Sequence, residues 1–176
     1  MCSMISVDPG WKRMGYSLWQ DDKLIRSGTF GVDRVEGEAW TAYITKGIME
    51  FYDWMSNLLF DNDIDIIVIE QLPPVSTSAG FNSSSQVSLV FMALASVIVA
   101  ARTSSNCRPK LEYIAAQHWR TQLIGKKTTK PQIRRKIIEL YPDIIRGKKI
   151  TEIPFDQIDS IAIGWCYIND NSIGKR

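Results

Sequence analysis

Histidine is nearly absent from this chain and cysteine is scarce: one His and three Cys occur among 176 residues. Cys2, Cys107 and Cys166 are odd in number and far apart, and no pair of them has metal-ligand spacing. They read as free thiols in a reducing compartment rather than as a disulfide framework. The lone His118, beside Trp119, reads as a packing or surface residue. Charge of one sign is also missing, with 21 Lys and Arg against 19 Asp and Glu and a net charge of +2. Any affinity for nucleic acid must then come from a local patch. No apolar run is long: the longest without charge, residues 87–101, falls short of the roughly 18 residues a spanning helix needs. No N-terminal signal is expected either, because an apolar strand ending in Asp8 occupies the place of its hydrophobic region. The expectation is a cytoplasmic protein with no membrane segment.

What remains is ordinary globular material, 45% hydrophobic and 23% charged, with no repeat, linker or low-complexity tract. Its length suits one domain of about 100–200 residues, here residues 1–176. Strands are expected at 4–8, 16–19 and 24–30, the last two joined by a polar turn. Helical spacing follows over 38–60, with Trp40, Ile44, Gly47, Ile48, Phe51, Met55 and Leu58 on one face. Ile66 to Ile69 form a continuous apolar strand of the mid-sheet kind. Residues 72–84, rich in Pro, Ser and Gly, read as a long loop. Residues 87–101 read as a helix apolar nearly all round.

A short strand at 111–115 and a brief helix at 117–123 come next. Thr129 and Gln132 have capping-box spacing before a helix carrying Ile133, Ile137, Leu140 and Tyr141. A last helix is expected from 155 to 168. This order predicts an α/β fold, a mixed central sheet with helices on both faces.

Four acidic residues stand where a carboxylate is costly. Asp8 closes the run Met4, Ile5, Ser6, Val7, and Glu70 closes Ile66, Ile67, Val68, Ile69. Asp156 and Asp159 stand three apart at the start of the last helix, so they share one face of it. Each has a plainer reading. Asp8, Pro9 and Gly10 could form a turn, and Asp156 and Asp159 could serve as N-cap and first-turn residues. Together, anions beside a core need a cationic partner. Hard divalent ions with oxygen ligands supply one and drive displacement at phosphorus.

These residues resemble the RuvC-type Holliday-junction resolvases of the ribonuclease H-like superfamily. The likeness runs through Ile5, Ser6, Val7, Asp8, Pro9 and Gly10 with Met14, Gly15 and Tyr16. It continues in Val68, Ile69, Glu70 and Gln71, in Leu111, Glu112 and Tyr113 with the loop from Ile124 to Lys127, and in Asp156 to Ala162. The elements fall in the family's order over nearly the whole chain. The resemblance implies a ribonuclease H-like fold and a crossover junction endodeoxyribonuclease of DNA recombination and repair. It implies that Asp8, Glu70, Asp156 and Asp159 hold two Mg²⁺ ions per site, with Mn²⁺ as substitute and no small-molecule cofactor. It also implies a homodimer acting on branched DNA, leaving 5′-phosphate and 3′-hydroxyl ends. The family often has an aromatic wedge shortly after the strand glutamate. Leu72, Pro73 and Pro74 stand there instead, and the nearest aromatic is Phe81.

Lys126, Lys127, Lys130, Arg134 and Arg135 put five positive charges into ten positions. Such a run is commonly a solvated helix face, but a capped helix start lies among these residues, and helix N-termini bind phosphate. With Phe81 they are the expected DNA contacts. The alternatives are another nuclease of this superfamily, cutting flap, branched or hybrid substrates, an actin-like phosphotransferase, and a non-catalytic nucleic-acid-binding module. The phosphotransferase needs a second phosphate loop and a Gly-rich adenosine segment, which the chain lacks. A purely binding surface gains nothing from four acids facing phosphate.

Overall fold

In the computed structural model, residues 2–72, 81–103, 108–147 and 149–173 are described. Among these residues five strands and five helices follow one another, three strands opening the chain and three helices closing it. They are β1 (Ser3–Asp8), β2 (Met14–Gln20), β3 (Lys23–Phe30), α1 (Trp40–Asn62), β4 (Ile66–Gln71), α2 (Phe81–Thr103), β5 (Lys110–Ala115), α3 (Ala116–Leu123), α4 (Lys130–Leu140) and α5 (Phe155–Ile173). Two short 3-10 turns connect α4 to α5.

The sheet order is β3-β2-β1-β4-β5. β1, β2 and β3 form an antiparallel meander, while β4 lies parallel to β1, and β5 parallel to β4. The central strands are covered on both faces, which is why β1 and β4 read as nearly unbroken apolar runs.

Alternation along the strands divides the core in two. Ile5, Val7, Leu18, Ile67 and Ile69 point to one side, where they pack on Phe51, Met55 and Leu59 of α1 and on Ala93 and Val97 of α2. Met4, Trp19 and Val68 point to the other, against Trp119, Ile133, Ile137, Ile158 and Ile161 from α3, α4 and α5. Each large aliphatic side chain so enclosed contributes about 1.5–3 kcal/mol.

The α5 face of the sheet is also lined by small and polar groups. Ser6 and Ser17 are fully buried and both donate to the carbonyl of Ser160 on α5, at 2.8 and 3.1 Å. Trp19 Nε1 donates to both hydroxyls. A Cβ on Gly164 would lie 2.3 Å from Trp19 Nε1, and one on Gly15 would lie 1.8 Å from the carbonyl oxygen of Asp156. Helix and sheet therefore meet backbone to backbone at Gly15.

Three expectations shift. The buried stripe of α1 is Tyr43, Gly47, Phe51, Met55, Leu58 and Leu59, so the phase holds from Gly47 onward. Trp40 and Ile48 are exposed. Trp40 opens the helix and has Arg34 over its ring, whereas Ile48 borders α2. Gly47 is on the buried face because the ring of Trp11 fills the space a side chain would take. The loop expected over 72–84 is shortened by α2, which starts at Phe81. Its Asn and Ser residues carry only a weak helix penalty. α2 is buried through Leu89, Ala93, Leu94, Val97, Ala100 and Ala101 but exposes Phe91 and Val99, so it is not enclosed all round.

The close approach at Gly15 is directly testable. Gly15→Ala should destabilise the protein by roughly 1–3 kcal/mol or more, as overpacking does. That corresponds to a loss of about 2–4 °C in melting temperature per kcal/mol for a chain of this size. Gly28→Ala, whose added methyl meets only the Tyr16 ring edge at 3.1 Å, should cost clearly less in the same thermal scan. Equal melting temperatures for the two variants would contradict the backbone contact.

Candidate functional site

Asp8 and Glu70 end neighbouring parallel strands. Val7 pairs with Ile69, so one more step of the same register sets Asp8 beside Glu70. Val7 and Ile69 face α1 and α2, and alternation turns the two acids to the opposite face. There α5 begins at Phe155, with Asp156 in its first turn and Asp159 following three residues later on the same side. Gly15 is the β2 partner of Asp8 and also lies under the carbonyl of Asp156. The helix start is thus held over the strand ends, so that the charges of Glu70, Asp156 and Asp159 all bear on Asp8, although no three of the four acids bring carboxylate oxygens within 4.8 Å of one another.

Their electrostatics record the crowding. Burial pushes Asp8 up to about 8, and the charges of Glu70, Asp159 and Asp156 add to it. Burial likewise raises Asp159 to about 6, against the opposing charges of Lys130 and Arg120. Glu70 is also raised by burial, while a hydrogen bond from Trp119 and the charges of Arg120 and Lys130 pull the other way. Asp156 Oδ2 lies 3.9 Å from Arg13 Nε. Asp159 Oδ2 lies 4.0 Å from Lys130 Nζ, whereas its Oδ1 is buried with no hydrogen-bond partner.

A buried oxygen without a partner costs about 1–3 kcal/mol, and more when charged. Crowded carboxylates with one such orphan fit a hard divalent cation, which takes oxygen ligands and neutralises several anions at once. The donor set offers oxygen only, and that favours Mg²⁺-like ions over softer metals.

Two residues of the cluster were not singled out in the sequence. Trp119 is fully buried, and its Nε1 donates to Glu70 Oε2 at 2.9 Å. The guanidinium of Arg120 lies 4.9 Å over the Trp119 ring, and its charge reaches Glu70 and Asp159. A signal was available: α3 begins where β5 ends, and open α/β sheets gather their ligands at the carboxyl ends of parallel strands.

The basic segment divides. Lys126, Lys127, Lys130 and Arg135 are exposed. Lys130 opens α4 and also sits 5.4 Å over the Phe155 ring. Thr129, its N-cap, donates its backbone N–H to Gln132 Oε1 at 2.9 Å, as the spacing anticipates. Arg134 turns inward, its guanidinium 3.8 Å over Phe155 and its Nη2 donating to the Ile153 carbonyl at 2.8 Å. Phe81 is the first residue of α2, but its side chain lies outside the described residues.

No protein-family model matches this sequence, and no curated protein is significantly similar to it. Solved structures are similar in fold. RuvC of T. thermophilus in complex with a Holliday junction substrate superposes with a TM-score of 0.72 at 14% identity, covering 99% of this chain and 97% of the other. A second Thermus thermophilus RuvC structure gives 0.67 at 15% identity, over 98% and 96%. The yeast mitochondrial Holliday junction resolvase Ydc2 gives 0.61 at 16% identity, over 93% of this chain and 77% of the other. The fold is therefore the ribonuclease H-like one of RuvC, with its mixed five-stranded sheet.

The raised carboxyls set a pH dependence. The folded protein holds the Asp8 and Asp159 protons more tightly than the unfolded chain does. Their contribution to the stability of the cation-free protein should therefore be full below pH 3.8, the ordinary value for Asp, and be lost as the pH rises through about 6 for Asp159 and about 8 for Asp8. Asp8→Asn should melt close to the unsubstituted protein in acid and several degrees above it at the alkaline end. Adding Mg²⁺ should recover more of the loss in the unsubstituted protein than in the variant. A melting-temperature difference independent of pH would contradict the crowding.

Proposed function

We propose that this chain is a metal-dependent endonuclease that resolves four-way DNA junctions by paired nicks, acting as a homodimer of single ribonuclease H-like domains. The observation that carries the proposal is the convergence of the Glu70, Asp156 and Asp159 charges on buried Asp8, together with a buried, unpartnered oxygen of Asp159. The fold it shares with a RuvC solved on a Holliday junction substrate supports the choice of DNA.

In this reading the four carboxylates hold two Mg²⁺ ions, for which Mn²⁺ substitutes. Bound there, they would supply an activated water and charge stabilisation at the leaving 3′-oxygen, for products with 5′-phosphate and 3′-hydroxyl ends. The protein's own groups do the rest. The indole of Trp119 fixes one oxygen of Glu70 and leaves the other free of that bond. Arg120 and Lys130 bring positive charge beside the acids and temper the repulsion that phosphate would otherwise meet. Lys126 and Lys127 precede the capped start of α4, where backbone N–H groups add to the attraction for a DNA phosphate. Arg135 extends that surface. Arg134, held by Ile153 and Phe155, joins α4 to the start of α5.

In this reading the two subunits would meet through α1 and α2. Between them lies a groove of about 490 Å³ lined by Ile48, Met49, Tyr52, Met92, Ala95 and Val99, among others. An exposed apolar surface of this kind marks an interaction site, and a twofold pair of active sites suits a twofold-symmetric junction.

Incubation with a synthetic four-way junction, a flap and a plain duplex tests the proposal. Symmetric nicks in the junction alone, dependent on Mg²⁺ and made by a species that light scattering sizes as a dimer, are expected. Asp8→Asn or Asp159→Asn should abolish cleavage while junction binding stays within a few-fold, because a lost anion near phosphate removes repulsion. Flap cleavage with an intact junction would move the enzyme to another substrate class, and cleavage in chelator would overturn the metal-dependent reading.

Substituting Lys126, Lys127 and Arg135 with Ala should lower the dependence of log affinity on log salt by about 0.9 per lost phosphate contact. The preferred cutting sequence should not change, because phosphate contacts position without specifying. An unchanged salt slope would return these residues to an ordinary solvated face.

A further inference from the structure

Farther along the same two helices, a second group of side chains converges. His118 and Gln122 stand four residues apart on α3, and Cys166 and Asp170 four apart on α5. That spacing puts each pair on one helix face, and the two faces meet. His118 Nε2 lies 2.8 Å from Asp170 Oδ2. Cys166 Sγ lies 3.0 Å from Gln122 Oε1 and 3.8 Å from Asp170 Oδ2. The Gln122 amide donates to the other oxygen of Asp170. One ligand atom each from His118, Cys166 and Asp170 all fall within 4.8 Å of one another.

We propose that His118, Cys166 and Asp170 form a binding site for a borderline-soft divalent cation, best matched by Zn²⁺, with the amide oxygen of Gln122 or a water as fourth ligand.

The geometry suits such an ion. Zinc binds S at about 2.3 Å and N or O at about 2.0–2.2 Å. Around one tetrahedral ion the ligand atoms then stand roughly 3.3–3.6 Å apart. The observed contacts bracket that range, so modest side-chain rotations bring all three onto a common centre. Charge suits it too: a thiolate and a carboxylate neutralise a divalent ion, and the Cys166 proton leaves to solvent on binding. Cys166 is buried while His118 and Asp170 are exposed, so the site has an inner anchor and an open side for entry.

The donor set distinguishes this place from the acidic cluster. Asp8, Glu70, Asp156 and Asp159 offer only oxygen; here sulfur and nitrogen take part, which selects against Mg²⁺. The two sites are also separate in space, since Cys166 is seven residues beyond Asp159 on α5, about 10 Å along the helix. The expected role is structural. A bound ion would tie α3 to α5 at the residue next to Trp119, whose indole holds Glu70. The inference does not depend on the nuclease reading.

Cobalt titration of the full chain tests it, with Cys2→Ser and Cys107→Ser so that Cys166 is the only thiol. Metal-free protein should develop a near-ultraviolet thiolate-to-cobalt band and tetrahedral visible bands that saturate at one equivalent and vanish when Zn²⁺ is added. An all-oxygen site gives no thiolate band, so the acidic cluster cannot imitate the signal. His118→Ala, at an exposed position, should weaken cobalt binding at least tenfold. In the chain with all its cysteines, Zn²⁺ should raise the melting temperature, and His118→Ala should remove that shift. Absence of the thiolate band, or a band with unchanged affinity in His118→Ala and Asp170→Asn, would overturn the site and leave a hydrogen-bonded clasp between helices.

Discussion

The structure depends on how near α5 comes to the sheet. Where Gly15 meets the carbonyl of Asp156, no side chain separates helix from strand. Ser6 and Ser17 complete the seat by donating to the Ser160 carbonyl, which the helix ladder alone would leave with spare acceptor capacity. Trp19 closes the same group, its indole reaching both hydroxyls, and Gly164 leaves room for its ring. Buried polar groups satisfied in this way fix one arrangement. The position of α5 fixes Asp156 and Asp159 against Asp8 and Glu70, and the rest of the site is assembled around that contact.

Much of this could be read from the sequence because the acids interrupt patterns that are otherwise strong. Asp8 and Glu70 each end a run of apolar residues, and a charge in that place is conspicuous. Asp156 and Asp159 open a helix whose apolar spacing is plain. The central place of the strand at Ile66 to Ile69 followed from its unbroken apolar run. Less visible were contacts made by residues that look ordinary in sequence. Trp119 reads as a core aromatic, and it is one, yet its single polar atom faces Glu70. Arg134 reads as one of five basic residues, and only the fold reveals that Phe155 and the Ile153 carbonyl hold it. Trp40 and Ile48 fit the periodicity of α1 but lie where the neighbouring layers do not reach. Periodicity reports which way a residue points and not what stands opposite.

The acidic cluster weakens the fold that carries it. Asp8 and Asp159 are raised because the folded state removes them from water and sets like charges side by side. Lys130 and Arg120 relieve only part of this. A chain that keeps such an arrangement carries a local conflict between stability and the chemistry of the site, as strained functional sites commonly do. The hydrophobic layers on both faces of the sheet supply the rigidity that keeps the acids from moving apart.

The four acids also differ in how firmly they are spaced. Asp8 and Glu70 ride on adjacent hydrogen-bonded strands, so their backbones are held at the interstrand distance of about 4.8 Å. That distance cannot change unless the pairing of Val7 with Ile69 is broken. Asp156 and Asp159 ride on a helix seated on the sheet by the close approach at Gly15 and the serine hydrogen bonds rather than by a strand ladder. Two of the acids are thus spaced by main-chain pairing and two by how deeply α5 seats, so a side chain added at Gly15 or Gly164 would widen the gap across the site.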